Sequence, residues 1–599
     1  MQEATTPSLI PVDASTSIPG LLAARLERSP HGTLIERKIG LGGTWSPVST
    51  QSFVDQVTAV AKGFVARGLQ PGDRISIMSR TRFEWTVLDF AAWAAGLVPV
   101  PVYETSSADQ IGWILSDADV RLALVESASH AAATESVRGT LPSLGGVLVI
   151  DDGALETLAA EGRAVDDAEV ERRSSATAMD DLATLIYTSG TTGRPKGVEL
   201  THGNFVSLSL EGVAGLPDVV AKPTSRTLLF MPLAHVFARY IQVLCIPSGA
   251  VLGHTPDTKN LLADLGTFKP TFILAVPRVF EKVYNSSEQK AAGGVKLKLF
   301  RWAAKTSIDY SRGLDAPGGP GAALKAQHAL ADRLVLHKLR AALGGAAEYA
   351  VSGGAPLGER LGHFFRGLGL RVLEGYGLTE TTAPTAVNMP EKTKIGTVGP
   401  PFPGASIRIA DDGEIEVSGA HVFRGYHNNP EATAASLRDG WFSTGDLGTL
   451  DDDGYLTITG RKKEIIVTAG GKNVAPAFLE DRLRGHPLVS QVVVVGDGKP
   501  FIAALVTLDA EMLPGWLATH GLPPMDVAAA SKSHAVLAAL DRAAERANEA
   551  VSRAESIRKV AVLPHDFTEA NGYLTPSLKV KRSLVLRDFA AEIEALYTH

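Results

Sequence analysis

Ten consecutive residues carry the densest chemistry in this chain. Thr188, Ser189, Gly190, Thr191, Thr192, Gly193, Arg194, Pro195, Lys196 and Gly197 follow the apolar run Leu182 to Tyr187. The run reads as a strand, and the ten residues after it read as a tight loop. Glycines let such a loop expose its N–H groups, while four hydroxyls and two cations add side-chain donors, a combination that suits a polyphosphate. The spacing is not GxxxxGK[ST], so this is not a Walker A loop. Further along, Thr379 and Glu380 offer a hydroxyl and a carboxylate of the kind that hold Mg²⁺ beside phosphates. Asp446 offers a bidentate acceptor for a pair of hydroxyls. Each has a plainer reading, with Glu380 capping a helix and Asp446 sitting in a tight turn. His235 is equally a core histidine or a ligand. By composition Lys579 is one more solvated lysine beside Lys581 and Arg582.

Alternating elements must position these groups. The patterns predict helices near Ile18 to Arg28, Ser52 to Ala66, Arg82 to Ala95 and Gln110 to Ser116. They predict strands at Arg74 to Met78, Val98 to Tyr103, Arg121 to Glu126 and Gly146 to Ile150. Strand and helix in this rhythm mean an α/β body with parallel sheet. Asp166 to Asp181 is charged and reads as a connection into the loop. Thr227 to Leu244 reads as a strand followed by Pro232, His235, Phe237, Arg239 and Tyr240 at a sheet edge. Strands follow at Val251 to His254 and Thr271 to Ala275, and a helix starts at Pro277. About 291–343 the composition turns to alanine, leucine and basic residues around the break DAPGGPG, predicting two helices and a turn on the surface. Its cations suit anionic lipid or a solvated face, the latter favoured by mixed signs. Glu348 to Leu357 and Arg371 to Thr382 are each a strand running into a turn. About 394–460 short alternating strands predict an antiparallel, barrel-like lobe. Beyond Lys463 a helix near Phe478 to Arg484 and strands at Gln491 to Val495 and Ile502 to Leu508 indicate a compact α+β unit.

The chain has 599 residues, too many for one ordinary core. Its formal net charge of −7, with no basic tail or stripe, argues against nucleic acid as a partner. The single cysteine, Cys245, rules out an internal disulfide framework and reads as core. The N-terminal residues lack a signal-peptide pattern, and no long uncharged apolar stretch predicts a membrane span. The expected location is cytoplasmic, with peripheral contact at the inner membrane face left open.

The loop and the motifs after it, in their order, resemble the adenylate-forming (AMP-binding) enzymes over nearly the whole chain, and long-chain fatty acyl-CoA synthetases in particular. The resemblance implies a large domain over 1–462, a hinge at Lys463 and a small mobile α+β domain over 464–599. It implies ATP, Mg²⁺ and coenzyme A as cofactors or co-substrates, and a fatty acid as substrate. In that reading Thr188 to Gly193 and Lys196 bind phosphate. Gly353, Gly354, Ala355, Glu374, Gly375, Tyr376, Gly377 and Ile458 surround the nucleotide. Thr379, Glu380 and Thr188 serve phosphate and Mg²⁺. Asp446 holds the ribose, Arg461 contacts ribose or phosphate, and His235 sits beside the acyl pocket. Lys579 acts in the first step, while Gly470 and Gly471 come to the site in the second. Leu578 departs from the family's usual serine-glycine-lysine, and Arg239 stands where some relatives carry a tryptophan gate. Two alternatives remain: a ligase delivering acyl-AMP to an acyl carrier protein, and a non-catalytic ATP- or acyl-binding regulator. A homodimer is also left open.

Overall fold

The computed structural model describes residues 2–11, 16–40, 43–188, 194–291, 294–575 and 578–598. A parallel sheet runs in the order Val98–Val102, Arg74–Met78, Val120–Val125, Gly146–Val149. Pro99 and Pro101 lie on its edge strand, where a missing N–H costs least. A second sheet places Arg226–Leu229 and Val251–His254 in parallel with Thr33–Lys38, and closes with antiparallel Trp45–Ser49. A third runs Phe272–Ala275, Tyr349–Ser352, Arg371–Tyr376 in parallel, then antiparallel Ala386–Val387. The expected barrel-like lobe is a six-stranded antiparallel sheet built on Ala405–Ile409, Glu414–Gly419, Trp441–Leu450 and Leu456–Arg461. The predicted α/β class with an antiparallel lobe and a small α+β unit is therefore what the chain adopts.

Most predicted elements lie within a residue or two of their expected bounds. The differences have identifiable causes. Asp166 to Asp181 is not a bare connection, because it contains the helix Asp167–Ala176, capped by Asp166. That helix buries Arg173 rather than a row of hydrophobes, and its guanidinium donates to the Leu69 carbonyl at 2.8 Å. The residues after Arg226–Leu229 do not form a sheet edge. His235 caps a helix, Val236–Ser248, whose inner side buries Arg239, Tyr240 and Cys245. The N-terminal strand Gln2–Thr5, which pairs with Ala405–Ile409, carries no apolar alternation to predict it. The helical elaboration consists of Gly294–Asp315 and Ala322–Ala331, the latter continuing through a π-helical turn into His337–Ala342. It is more than a surface ornament, since Phe300, Ala303, Ala304 and Ser307 are buried and Ser307 Oγ donates to the Phe364 carbonyl at 2.9 Å.

Among the described residues the main core ends with Leu456, and the small cores begin with Ile466. The small unit packs Val489–Val495, Ile502–Leu508 and Ile557–Val562 against the helices Pro476–Arg484 and His534–Asn548. Polar contacts join the two bodies. Arg278 Nη2 meets Asp509 at 2.7 Å, Lys282 meets Glu511 at 2.8 Å, and the Gln289 amide donates to the Met512 carbonyl at 2.8 Å.

One buried ion pair locks the main body beneath the phosphate-loop hairpin. Arg239 and Asp89 are both wholly buried, with contacts of 3.0 and 2.7 Å. Gln242 also donates to Asp89, and Arg239 Nη1 donates to Thr184 Oγ1 at 2.6 Å. Removing one partner strands the other's charge without water. Arg239→Leu is therefore expected to destabilise the main body by about 3–5 kcal/mol, read as a lowered melting transition in calorimetry. An unchanged transition would show that the pair is not a structural lock.

Candidate active site

The strand Leu182–Thr188 turns back antiparallel as Lys196–Thr201, with Thr188 opposite Lys196. The two strands thus form an antiparallel pair. Ser189, Gly190, Thr191, Thr192 and Gly193 lie outside the described residues. Just before Lys196 the Arg194 guanidinium stacks 4.6 Å from the Trp113 ring, and the Trp113 indole donates to the Pro195 carbonyl at 2.9 Å. The Lys196 ammonium lies 4.9 Å from the Tyr426 ring centre. Tyr426, on the short strand Gly425–Tyr426 that joins this hairpin, donates its hydroxyl to Glu380 Oε1 at 2.9 Å. One tyrosine therefore links the predicted phosphate lysine to the predicted metal carboxylate. Sequence reasoning missed it, and its only signal was an aromatic residue in the run FRGYHN.

The opposite wall comes from Tyr349–Ser352 and Arg371–Tyr376, whose ends carry Gly353, Gly354, Ala355 and then Gly377, Thr379 and Glu380. A side chain at Gly377 would sit 1.5 Å from the Ala383 carbonyl oxygen, so only glycine passes there. Gly353 is buried beside the Phe237 ring, while Gly354 and Ala355 are exposed. Glu374 pins this turn from below, accepting the Leu357 N–H at 2.9 Å. Burial raises its carboxyl to about 7, with Asp481 of the small unit and Glu359 adding to the rise. Gly375, the next residue, pairs with Val387. After Glu380 the chain turns sharply through Thr382 and Ala383, both at positive φ. Such strain outside glycine clusters at working sites.

Asp446 and Arg461 face each other on adjacent antiparallel strands, with Oδ1 and Nε 2.9 Å apart. The Tyr376 hydroxyl donates to Asp446 Oδ2 at 2.7 Å. Ile458 pairs with Gly448 on the same two strands. Lys463 is exposed in the one-turn helix Lys462–Glu464, directly after Arg461.

Lys579 arrives from the small unit on a hairpin turn closed by the Leu574–Val580 bridge. The Thr575 N–H donates to the Lys579 carbonyl at 2.8 Å, and Leu578 takes the left-handed conformation, φ +61, that glycine would favour. Lys579 lies in an open cleft and is exposed. Partial loss of solvent around its ammonium, then Arg461, draws its pKa below the ordinary lysine value against Asp446, Glu380 and Glu464. Water in the cleft weakens these pulls. His235 feels the Lys579 charge, and burial with that charge lowers its pKa to about 4. It is a neutral imidazole at neutral pH, with Nδ1 accepting the Phe237 N–H at 3.2 Å.

Two candidates from the sequence, Gly470 and Gly471, stand apart from this cluster. Gly470 and Gly471 are exposed at the tip of the Ile466–Val467/Asn473–Val474 hairpin. The Ala469 N–H donates to the Lys499 carbonyl at 2.9 Å, and among the described residues no hydrogen bond joins that hairpin to the cleft. Arg239 points into the core, not the site. Among the described residues no three His, Cys, Asp or Glu side chains converge on a metal site. A dication here would bring its remaining ligands with a substrate. Glu380 fits that role: burial pushes its carboxyl up, its side chain bonds to the Tyr426 hydroxyl, and a cation would offset its buried charge.

Behind His235 a small apolar cavity of about 30 Å³ is lined by Phe237, Tyr240, Ile241 and Leu244 of one helix, by Leu216, Val220, Phe272 and Val351, and by Pro384 and Phe402. The Tyr240 hydroxyl donates to the Leu208 carbonyl at 3.2 Å across Gly212, where an added Cβ would come within 2.6 Å of that oxygen.

The chain thus carries polar groups suited to a triphosphate and a small apolar cavity, and comparison with known proteins agrees. A model described as AMP-binding enzyme matches residues 23–427, and one described as AMP-binding enzyme C-terminal domain matches 463–599. The chain belongs to the AMP-binding enzyme family. It is 50% identical to the long-chain-fatty-acid–CoA ligase FadD15 of Mycobacterium bovis over 604 residues, covering 100% of both chains. The ATP-bound MatB structure from Rhodopseudomonas palustris is 25% identical, with a TM-score of 0.69 over 96% of this chain and 99% of that one. The anthranilate CoA ligase AuaEII, in complex with anthranoyl-AMP, shares the fold at a TM-score of 0.73 and 19% identity, covering 98% and 99%.

The raised Glu374 carboxyl gives a pH test. Its folded value, about 7, lies above its ordinary 4.5. Its contribution to stability is complete below about 4.5 and is lost as pH rises through about 7. Glu374→Gln keeps the acceptor for Leu357 but cannot ionise. Melting curves should match wild type near pH 5 and lie above it near pH 8. Equal curves at both pH values would remove the claim.

Proposed function

We propose that the chain is a long-chain fatty acid–CoA ligase. A fatty carboxylate attacks the α-phosphorus of MgATP, giving acyl-AMP and pyrophosphate. The coenzyme A thiol then attacks the acyl carbonyl, and AMP leaves. The observation that supports this reading is Lys579, brought from the second body within electrostatic reach of Asp446, Arg461, Glu380 and His235. An ammonium there can bridge the carboxylate and the α-phosphate and offset charge as it develops. Thr188 and Lys196 frame the phosphates, together with the loop between them, Ser189 to Gly193. Asp446 exchanges its Tyr376 partner for the ribose hydroxyls, and Arg461 flanks them. The Gly353–Ala355 turn and Tyr376 sandwich the adenine, held by Glu374, Gly375, Gly377 and Ile458. Thr379 and Glu380, with Thr188, meet the phosphates and the Mg²⁺ that arrives with ATP, and the ion screens the leaving pyrophosphate. His235, neutral, borders the acyl entrance without repelling the thiol's or the acid's cationic partners.

The two steps ask different things of one cleft. We assign residues 1–462 to the large domain, Lys463 to the hinge and 464–599 to the small domain, a division supported by cores that end at Leu456 and resume at Ile466. Rotation about Lys463 withdraws Lys579 and presents Gly470 and Gly471. The acceptor is free coenzyme A rather than a carrier protein, as the name of the FadD15 relative supports. A cytoplasmic setting is consistent with the finding that no helix among the described residues is long and apolar enough to cross a membrane.

Lys579→Ala separates the half-reactions. Adenylation should lose at least 3–4 kcal/mol, on the order of a hundredfold or more in rate. Thioester formation from supplied acyl-AMP and coenzyme A should stay within a few-fold of wild type. Equal impairment of both steps, or near-normal adenylation, would sink the assignment.

Acyl chain length supplies the substrate test. Each buried methylene should add about 0.8 kcal/mol until the space is full, so apparent KM should fall from hexanoate to palmitate. Gly212→Ala should push Tyr240 into the cavity and blunt that fall for the longest acids first. A flat series, or a preference for acetate or benzoate, would refute the long-chain reading.

A further inference from the structure

Tyr426 stands where distant segments of the chain meet. Its strand, Gly425–Tyr426, pairs antiparallel with Lys196–Thr201, with Gly425 opposite Glu199 and Tyr426 opposite Val198. Just past it, the His427 N–H donates to the Gly197 carbonyl at 2.8 Å. The residues before it clamp the turn that carries Glu380. The Phe423 N–H donates to the Glu380 carbonyl at 2.8 Å, and Thr382 Oγ1 donates to the His421 carbonyl at 2.8 Å. Asn204, on the helix His202–Gly215, donates its amide to the Ala420 and Val422 carbonyls at 2.8 and 3.0 Å. One short stretch, 420–427, is thus bonded both to the strand that begins at Lys196 and to the turn that holds Glu380. Tyr426 is fixed within it. Its N–H donates to Thr433 Oγ1 at 2.9 Å, and its ring makes a T-shaped contact with the buried Phe423 ring, centres 4.9 Å apart.

The side chain of Tyr426 spans the same two segments as its backbone. The Lys196 ammonium lies 4.9 Å from the ring centre, within cation–π range. The hydroxyl donates to Glu380 Oε1 at 2.9 Å. A hydrogen bond to a carboxylate is stronger than one between neutral groups. It takes one of about four lone-pair positions on the two oxygens, leaving others for a cation. Carboxylates that bind metal are themselves held by hydrogen bonds that set their orientation. Phenylalanine at 426 would make every contact named here except the one to Glu380, so packing alone does not call for the hydroxyl.

We propose that Tyr426 is a positioning residue for adenylation. Its ring sets the Lys196 ammonium and its hydroxyl sets the Glu380 carboxylate. One side chain thereby fixes the spacing between the cation that meets the phosphates and the acid that meets Mg²⁺. The inference rests on the reading of this cleft as an ATP-dependent ligase site.

The test measures binding rather than turnover. The full chain is titrated calorimetrically with ATP, once in EDTA and once in saturating Mg²⁺, and the ratio of the two dissociation constants is the gain brought by the metal. Tyr426→Phe keeps the ring and removes the hydroxyl. Its affinity for metal-free ATP should stay within about twofold of the parent, while the gain from Mg²⁺ should fall about three- to tenfold. Tyr426→Leu removes the ring as well and should weaken metal-free ATP binding about two- to fivefold. Glu380→Gln should lower the gain at least as far as Tyr426→Phe does. Tyr426→Phe added to Glu380→Gln should lower it no further, because the hydroxyl acts through that carboxylate. Tyr426→Phe should keep the parent melting temperature, so it and the double variant decide the matter if the leucine variant folds poorly. A parental Mg²⁺ gain in Tyr426→Phe, equal losses of metal-free affinity in the Phe and Leu variants, or additive losses in the double variant would overturn the proposal alone. A parent that bound no ATP would overturn the ligase reading and the proposal with it.

Discussion

Two charges with no water around them hold the reacting groups in place. Arg239 and Asp89 tie the helix Val236–Ser248 to the helix Phe83–Ala94, and Arg239 also reaches Thr184 on the strand that ends at Thr188. Thr184 in turn donates to the Pro99 carbonyl of the first parallel sheet. The helix begins at His235 and carries Phe237 and Tyr240 into the apolar cavity. The strand carries the phosphate hairpin. An ion pair this deep gains little over packed hydrophobes in stability, and its attested use is in fixing register. Here it sets the distance between the hairpin and the acyl cavity, which must bring one phosphorus and one carboxylate together.

The electrostatics of the cleft are arranged for an incoming polyanion. Acids and cations are interleaved in it: Asp446 pairs with Arg461 on adjacent strands, and Glu380 and Glu464 pull on Lys579. Confinement moves Glu380 and Lys579 toward their neutral forms. Phosphate oxygens would reverse that pull on Lys579, and a dication would reverse it on Glu380. The charges are thus held ready at low cost and become fully useful only when substrate arrives. Asp446 is positioned in advance by Tyr376 and Arg461 rather than left to find its place.

The hairpin Leu182–Thr188/Lys196–Thr201 was legible as a strand and a turn because its pattern is local: hydroxyls, glycines and cations follow an apolar run within ten residues. The parallel sheets were legible from alternating strand and helix patterns. Lys579 was not legible from residue type, since its neighbours Lys581 and Arg582 look the same, and only motif order singled it out. Tyr426 escaped because its importance lies in two contacts, with Lys196 and with Glu380, that come from distant parts of the chain. Arg239 looked like a departure at a gate. The compensating aspartate lies 150 residues earlier, where sequence gives no pairing signal. The strand Gln2–Thr5 and the helix Asp167–Ala176 escaped for a related reason: each is fixed by a partner rather than by its own apolar period.

The named polar contacts that join the two bodies are single, exchangeable ones: Lys282 with Glu511 in the open, and Arg278 with Asp509 and Gln289 with a carbonyl, both half-buried. Such pairs are worth little individually in water and can be remade elsewhere. A joint of this sort favours no single posture strongly, and dissolved ions loosen it further. The interior locks of each body are out of reach of those ions. In the rotation proposed for the two half-reactions, ionic strength would therefore act as a clutch, altering how readily the small body turns while leaving the geometry within each body unchanged.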